Sequence, residues 1–171
     1  MPMEVFDAVR TVLAVREYSD KPVPPETIRR IVEAAHLTAS SMNGQPWHFI
    51  VVQDGEMLKV LGAAAPTGPY TAQSAFAVVV AIEESRFAVS DASRAIQSMV
   101  LVAWSEGVGS NFVGFSGLPA VSALLGIPKE IEVLAIVPFG YPKNPVGKGK
   151  KQRKPLGEVV HRERFGQPFD V

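Results

Sequence analysis

Cysteine is missing from the 171 residues. That excludes disulfides, thiolate nucleophiles, zinc–thiolate centres and cysteine-ligated iron–sulfur clusters. Net charge is missing too, since 17 basic residues balance 17 acidic ones. Long apolar runs are absent: nothing approaches the ~18–20 residues of a membrane span. The opening "MPMEVFDAVR" carries acids early and has no apolar h-region, so no signal peptide is expected. A cytoplasmic protein with no membrane contact is the expectation.

The usual catalytic motifs are also missing. "GVGSNFVG" has glycines at 107, 109 and 114, which does not fit G-x-G-x-x-G, and it follows a predicted helix rather than a strand. "GKGKK" lacks the spacing and terminal Ser or Thr of a P-loop. There is no H-E-x-x-H, no EF-hand loop and no G-x-S-x-G. His36, His48 and His161 lie far apart without a carboxylate pattern, so each reads as structural and no metal site is expected. No side chain presents itself as nucleophile or general base. The remaining option is chemistry carried by a bound cofactor, for which the protein supplies shape, hydrogen bonds and charge.

What is present is apolar and uneven. Hydrophobic residues make up 47% and charged residues 20%. That leaning fits a subunit interface or a ligand, and a large core fits it equally. Eight of the 17 basic residues fall between Lys143 and Arg164, against Glu158 and Glu163 only. Such a cluster suits an anion site, and a solvated basic loop is the plainer alternative. Nucleic-acid binding is not favoured, because interleaved aromatics and a reading motif are lacking.

Periodicity gives the elements. Val5, Phe6, Val9, Val12 and Leu13 predict an amphipathic helix over 3–13. Pro25 suits a helix start, with Ile28, Ile31, Val32, Ala35 and Ala39 as one apolar stripe. His48–Gln53 reads as a strand, Asp54 caps a helix through Leu61, and "AAAPTGPY" is a loop. Phe76–Ile82 is apolar without alternation, as in a strand covered on both faces. After Asp91 comes a helix apolar on two sides, ended by Gly107. "SNFVGF" is a short strand or extended turn, Ser116–Leu125 a helix, and "EVLAIVPFG" a third clear strand. Residues 142–155 read as an exposed loop. The tail is apolar with little helical pattern and needs something to lie on. One domain over 1–171 is expected, α+β, with a central sheet flanked by helices.

These segments carry a resemblance. "REYSDKPVPPETIRRIVEAAHLTASSMNGQPWHFIVV", "DASRAIQSMVLVAWSEGVGSNFVGF", "LLGIPKEIEVLAIVPFGYPK" and "RKPLGEVVHRERFG" are similar, in that order, to blocks of the flavin-dependent nitroreductase family. The resemblance implies a three-layer sandwich with a central mixed sheet, a homodimer with FMN at the subunit interface, and a C-terminal arm, about 156–171, exchanged onto the partner. It implies NADH or NADPH as co-substrate and a small electron-poor acceptor, reduced in ping-pong order. A non-catalytic flavin or heterocycle binder on the same fold is the alternative.

By the same resemblance, Arg16 reaches the flavin. Ala39, Ser40 and Ser41 lie along the ring, while Asn43 and Gln45 either touch it or brace the loop. Val113 and Gly114 face the reactive centre or form a plain strand-end turn. Lys151 and Arg153 bind the phosphate. No side chain is assigned as catalytic. The chain departs from the family where Arg-Arg-Ser is replaced by Val12-Leu13-Ala14, which removes two expected polar contacts. It is also short over 54–75, where relatives add cofactor contacts and a lid.

Overall fold

The computed structural model describes residues 3–114, 118–146 and 151–169. Its sheet has four strands in the order β1-β2-β4-β3. They are β1 (Trp47–Val52), β2 (Phe76–Ile82), β3 (Gly109–Ser110) and β4 (Glu132–Gly140). β2 has a hydrogen-bonded partner strand on each side, and all seven of its residues are buried. Its side chains alternate between two cores. Phe76, Val78, Val80 and Ile82 face a layer built from α2 (Pro25–His36) and α4 (Ala88–Ser105). Ala77 and Val79 face the opposite layer, with α3 (Gly55–Ala64) and α5 (Pro119–Leu124). A strand with two apolar faces is what an unalternating sequence demands.

Local chemistry sets the helices. Pro25 fixes the first turn of α2, and Ile28, Ile31 and Ala35 form its buried stripe. The Asp54 carboxylate accepts the Met57 N–H at 2.8 Å and caps α3. In α4 the stripe Ala92, Ala95, Ile96, Met99 and Ala103 is buried. Phe76 and Phe139 stack across β2 and β4 with centroids 4.9 Å apart. Such pairs contribute about 0.5–1.5 kcal/mol beyond their buried area.

Several expectations need correction. The sheet is not mixed in its named strands: all three pairings are antiparallel. Among the described residues parallel character survives only as an isolated bridge between Ala14 and Ser110. The first helix, α1, covers only Val5–Thr11, and its apolar side does not enter the core. Ala8 is buried, whereas Val5 and Phe6 are each 75% exposed. Ala39 lies beyond the end of α2 and is exposed. The 63–70 stretch is not all loop, for it runs into a 3-10 turn at Pro69–Gln73 that buries Thr71. The helix expected from Ser116 is described from Pro119. The tail holds one short helix, α6 (Leu156–Val159), with Leu156, Val159, Phe165 and Phe169 exposed.

Among the described residues no helix is long and apolar enough to cross a membrane. Lys148 and Lys150 of the basic cluster lie outside the described residues.

Candidate functional site

The Ser40–Gln45 loop leaves α2 and lands on the first turns of α4. Its main chain is unusual: Met42, Asn43 and Gln45 all have positive φ, at 52°, 55° and 49°. Asparagine tolerates this region, but methionine and glutamine are strained there. A buried carboxylate holds the loop. Asp91, 1% exposed, accepts the Ser41 N–H and the Ser41 hydroxyl, each at 3.0 Å. The Arg94 guanidinium donates to the same carboxylate and reaches the Ser41 hydroxyl oxygen at 3.4 Å. Burial pushes the Asp91 carboxyl up. The two bonds from Ser41 and the charge of Arg94 outweigh it and hold the group below the usual carboxylate value. One turn along, the Thr38 and Ser98 hydroxyls lie 2.7 Å apart and tie the loop's root to α4.

Arg16 belongs to a different neighbourhood. Residues 14–18 cross the β3 edge, where the Val15 N–H donates to the Ser110 carbonyl at 2.9 Å. Two glycines allow the approach. A Cβ on Gly109 would stand 2.4 Å from Val15 Cγ2, and one on Gly140 2.8 Å from Tyr18 Cδ1. Tyr18 is buried and donates to the Val15 carbonyl at 2.8 Å. Burial first, and then Tyr70, push its phenol far above the ordinary tyrosine value, with Arg16 acting the other way. Ala14, Arg16 and Glu17 line a cavity of about 290 Å³ against Pro142 and Asn144. The 142–146 wall also bounds a larger cavity, about 610 Å³, with Thr11 and Trp104 on its far side.

Lys151 joins this neighbourhood through α1. Its ammonium donates to the Val9 carbonyl at 2.6 Å, among the last carbonyls of that helix. Desolvation and, second, the Arg153 charge lower its pKa. Among the described residues Arg153 donates only to the Gln152 carbonyl next to it, at 2.9 Å. Among the described residues neither cation forms an ion pair with a carboxylate.

Val113 and Gly114 continue the sheet edge beyond β3. Val113 exchanges both backbone bonds with Ile136, at 2.9 Å each. In an antiparallel ladder the flanking N–H of Gly114 therefore turns away from β4. Gly114 has φ 77°, a conformation that favours glycine. Beside it, the Asn111 amide donates to the Tyr70 hydroxyl.

The anticipated residues thus form separate groups. Ala39, Ser40, Ser41 and Asn43 sit near the N-terminal end of α4, which Asp91 marks. Arg16, Lys151 and Arg153 gather by its other end, where Trp104 Nε1 donates to Thr11 at 2.9 Å. Thirteen residues of helix separate Asp91 from Trp104, which is ~20 Å at about 1.5 Å per residue. A single protomer does not unite the two groups. His36, His48 and His161 also stay apart. His48 meets Glu83 at 3.0 Å on the surface, and His161 packs on Phe165.

Sequence reasoning missed Asp91, Arg94, Tyr18 and Tyr70. Asp91 had a signal: it heads the buried α4 row 91, 95, 99, 103, and a carboxylate on an apolar row needs a partner.

The nitroreductase family profile matches residues 10–83 and 68–141. The chain belongs to the nitroreductase family. A provisionally named NADH dehydrogenase/NAD(P)H nitroreductase of Archaeoglobus fulgidus is 34% identical over 95% of this chain and 99% of its own. An FMN reductase [NAD(P)H] of Bacillus subtilis is 26% identical over 95% of this nitroreductase-family chain and 74% of its own. The solved structure of NfrA1 from B. megaterium superposes with a TM-score of 0.85 at 28% identity, over 94% of this chain and 74% of the other. The family thus accounts for the α+β architecture and makes this chain an oxidoreductase of the nitroreductase kind.

Proposed function

We propose that the protein is an FMN-dependent NAD(P)H oxidoreductase that reduces nitroaromatic, quinone or similar electron-poor acceptors as a homodimer. The observation that carries the reading is the pair Lys151 and Arg153: two neighbouring cations, not ion-paired to a carboxylate among the described residues, with Lys151 held on the Val9 carbonyl of α1. Like charges held together call for an anion, and a phosphate dianion suits them.

The residues present fit FMN. Lys151 and Arg153 would hold the phosphate. Arg16 is exposed at the cavity mouth and would set a fixed positive charge against the ring's electron-rich edge. Gly114 offers a main-chain N–H turned away from β4. Ala39 and Ser40 are small enough for main chain to approach a flat ring, and Asn43 stands beside them. Bound FMN supplies the redox chemistry, taking a hydride from NADH or NADPH and yielding it to the acceptor, so the two substrates take turns in ping-pong order.

A second copy is needed to bring the two groups together. A two-fold partner would set the Ser40–Gln45 loop of one protomer against the Arg16 cavity of the other. The exposed faces support this: Val5, Phe6 and Val9 on α1, Leu37 and Met42 by the loop, and the apolar tail. The tail, 156–171, would then wrap the partner as an exchanged arm.

Anaerobic titration of the purified protein with NADH and NADPH tests the reading. The protein should be yellow, bleach on reduction, and regain colour with a quinone or nitroaromatic. A yellow protein that neither nucleotide bleaches is a carrier, which Val12-Leu13-Ala14 in place of polar residues would suit. A protein that FMN cannot tint rules out both.

A further inference from the structure

The Ser40–Gln45 loop contains two adjacent serines, and the structure gives them different work. Ser41 is fully committed within the protein. Its N–H and hydroxyl both go to Asp91, and its oxygen faces Arg94. Ser40 is not. Its oxygen accepts the Gln45 N–H at 3.0 Å, and its hydroxyl hydrogen has no acceptor among the described residues. Ser40 is half-buried and Asn43 exposed, the Asn43 side-chain oxygen taking only a 3.3 Å bond from Gln45 among the described residues.

The main chain explains why an anchor is required. Met42 and Gln45 occupy the left-handed region without being glycine. Each such residue costs about 1–3 kcal/mol unless its surroundings determine it. The carboxylate of Asp91 is the strongest acceptor touching the loop, buried and charge-paired, and it grips the residue immediately before Met42. Bonds to charged acceptors are roughly twice as strong as neutral ones.

We propose that Asp91 is the positioning residue of this loop: it clamps Ser41 so that Ser40 and Asn43, not Ser41, meet the ligand. The assignment of that ligand rests on the flavin reading above. The clamp itself does not, because its geometry exists in the protein alone.

Hydrogen exchange and FMN titration of Asp91→Asn, Ser41→Ala and Ser40→Ala test it. In the ligand-free protein, Asp91→Asn and Ser41→Ala should each speed amide exchange over residues 38–45 by tenfold or more, with β2 and the rest of α4 unchanged. Ser40→Ala should quicken the Gln45 amide alone, whose acceptor it removes, and leave the other amides of that stretch at the wild-type rate. Against FMN, Asp91→Asn should raise Kd about tenfold and Ser41→Ala less, because its main-chain N–H still reaches Asp91. Their combination should fall short of the product of the two effects, since they share a linkage. Ser40→Ala should raise Kd independently of both.

Wild-type exchange over 38–45 in both clamp variants would overturn the proposal. So would exchange that quickens across α2 and α4 alike, with FMN affinity of the folded fraction intact, which is a fold residue's signature. If Asp91→Asn does not fold, Ser41→Ala decides alone, because it leaves the Asp91–Arg94 pair in place. If the wild type binds no FMN, the flavin reading falls while the exchange result still decides the clamp.

Discussion

Late in the sequence, desolvation and then the Arg153 charge lower the Lys151 pKa, and among the described residues neither cation is ion-paired to a carboxylate. Removing one relieves that repulsion and weakens the site for an anion. Arg153→Ala should therefore raise the FMN Kd by tenfold or more, consistent with losing charge-assisted bonds of about 1.5–3 kcal/mol, and should leave thermal stability nearly unchanged. Flavin content of the purified variant and a fluorescence titration measure it; wild-type content would refute the phosphate role. At this scale the sequence was legible where chemistry is unusual. A basic pair after a glycine-rich stretch stands out. Ser40 and Ser41 do not, because two identical side chains differ only in where a strained turn aims them. Asp91 was overlooked for the converse reason: its neighbours on the helix are apolar, and its partner Ser41 is fifty residues away.

Among the elements, α2, β2, α4 and β4 could be read from apolar spacing alone, since each buries a whole stripe or a whole strand. β3 could not. It has two residues, and its place depends on Gly109 fitting against Val15 and on pairing with Gly140. That fit makes a prediction. Gly109→Ala would drive a Cβ to 2.4 Å from Val15 Cγ2, so residues 14–18 must shift. A loss of about 1–3 kcal/mol is expected from overpacking of this kind, together with weaker FMN binding because Arg16 moves with the segment. Gly55→Ala, which meets nothing within 4 Å, should be neutral or slightly stabilising. Thermal melts of the two variants, side by side, check both. The 3-10 turn at Pro69–Gln73 escaped detection because five residues carry no period, and α1 misled because its apolar side looks like any core-facing stripe.

Across the whole molecule, α4 acts as a spacer. It keeps the clamped loop and the cation pair ~20 Å apart at about 1.5 Å per residue, so neither can serve the other within one chain. Nothing in a single sequence reveals such a distance, although the unanchored tail and the two-sided apolar helix pointed towards a neighbour. The arrangement has a genetic corollary. In the proposed homodimer, Arg153→Ala and Asp91→Asn would damage different halves of a shared pocket, and each variant alone would spoil both pockets of its own dimer. Co-expressed, the two crippled alleles should rescue one another: random pairing leaves on the order of a quarter of all pockets with both halves sound. Activity recovered from the mixture, and from neither parent, would reveal a catalyst that no lone polypeptide can complete.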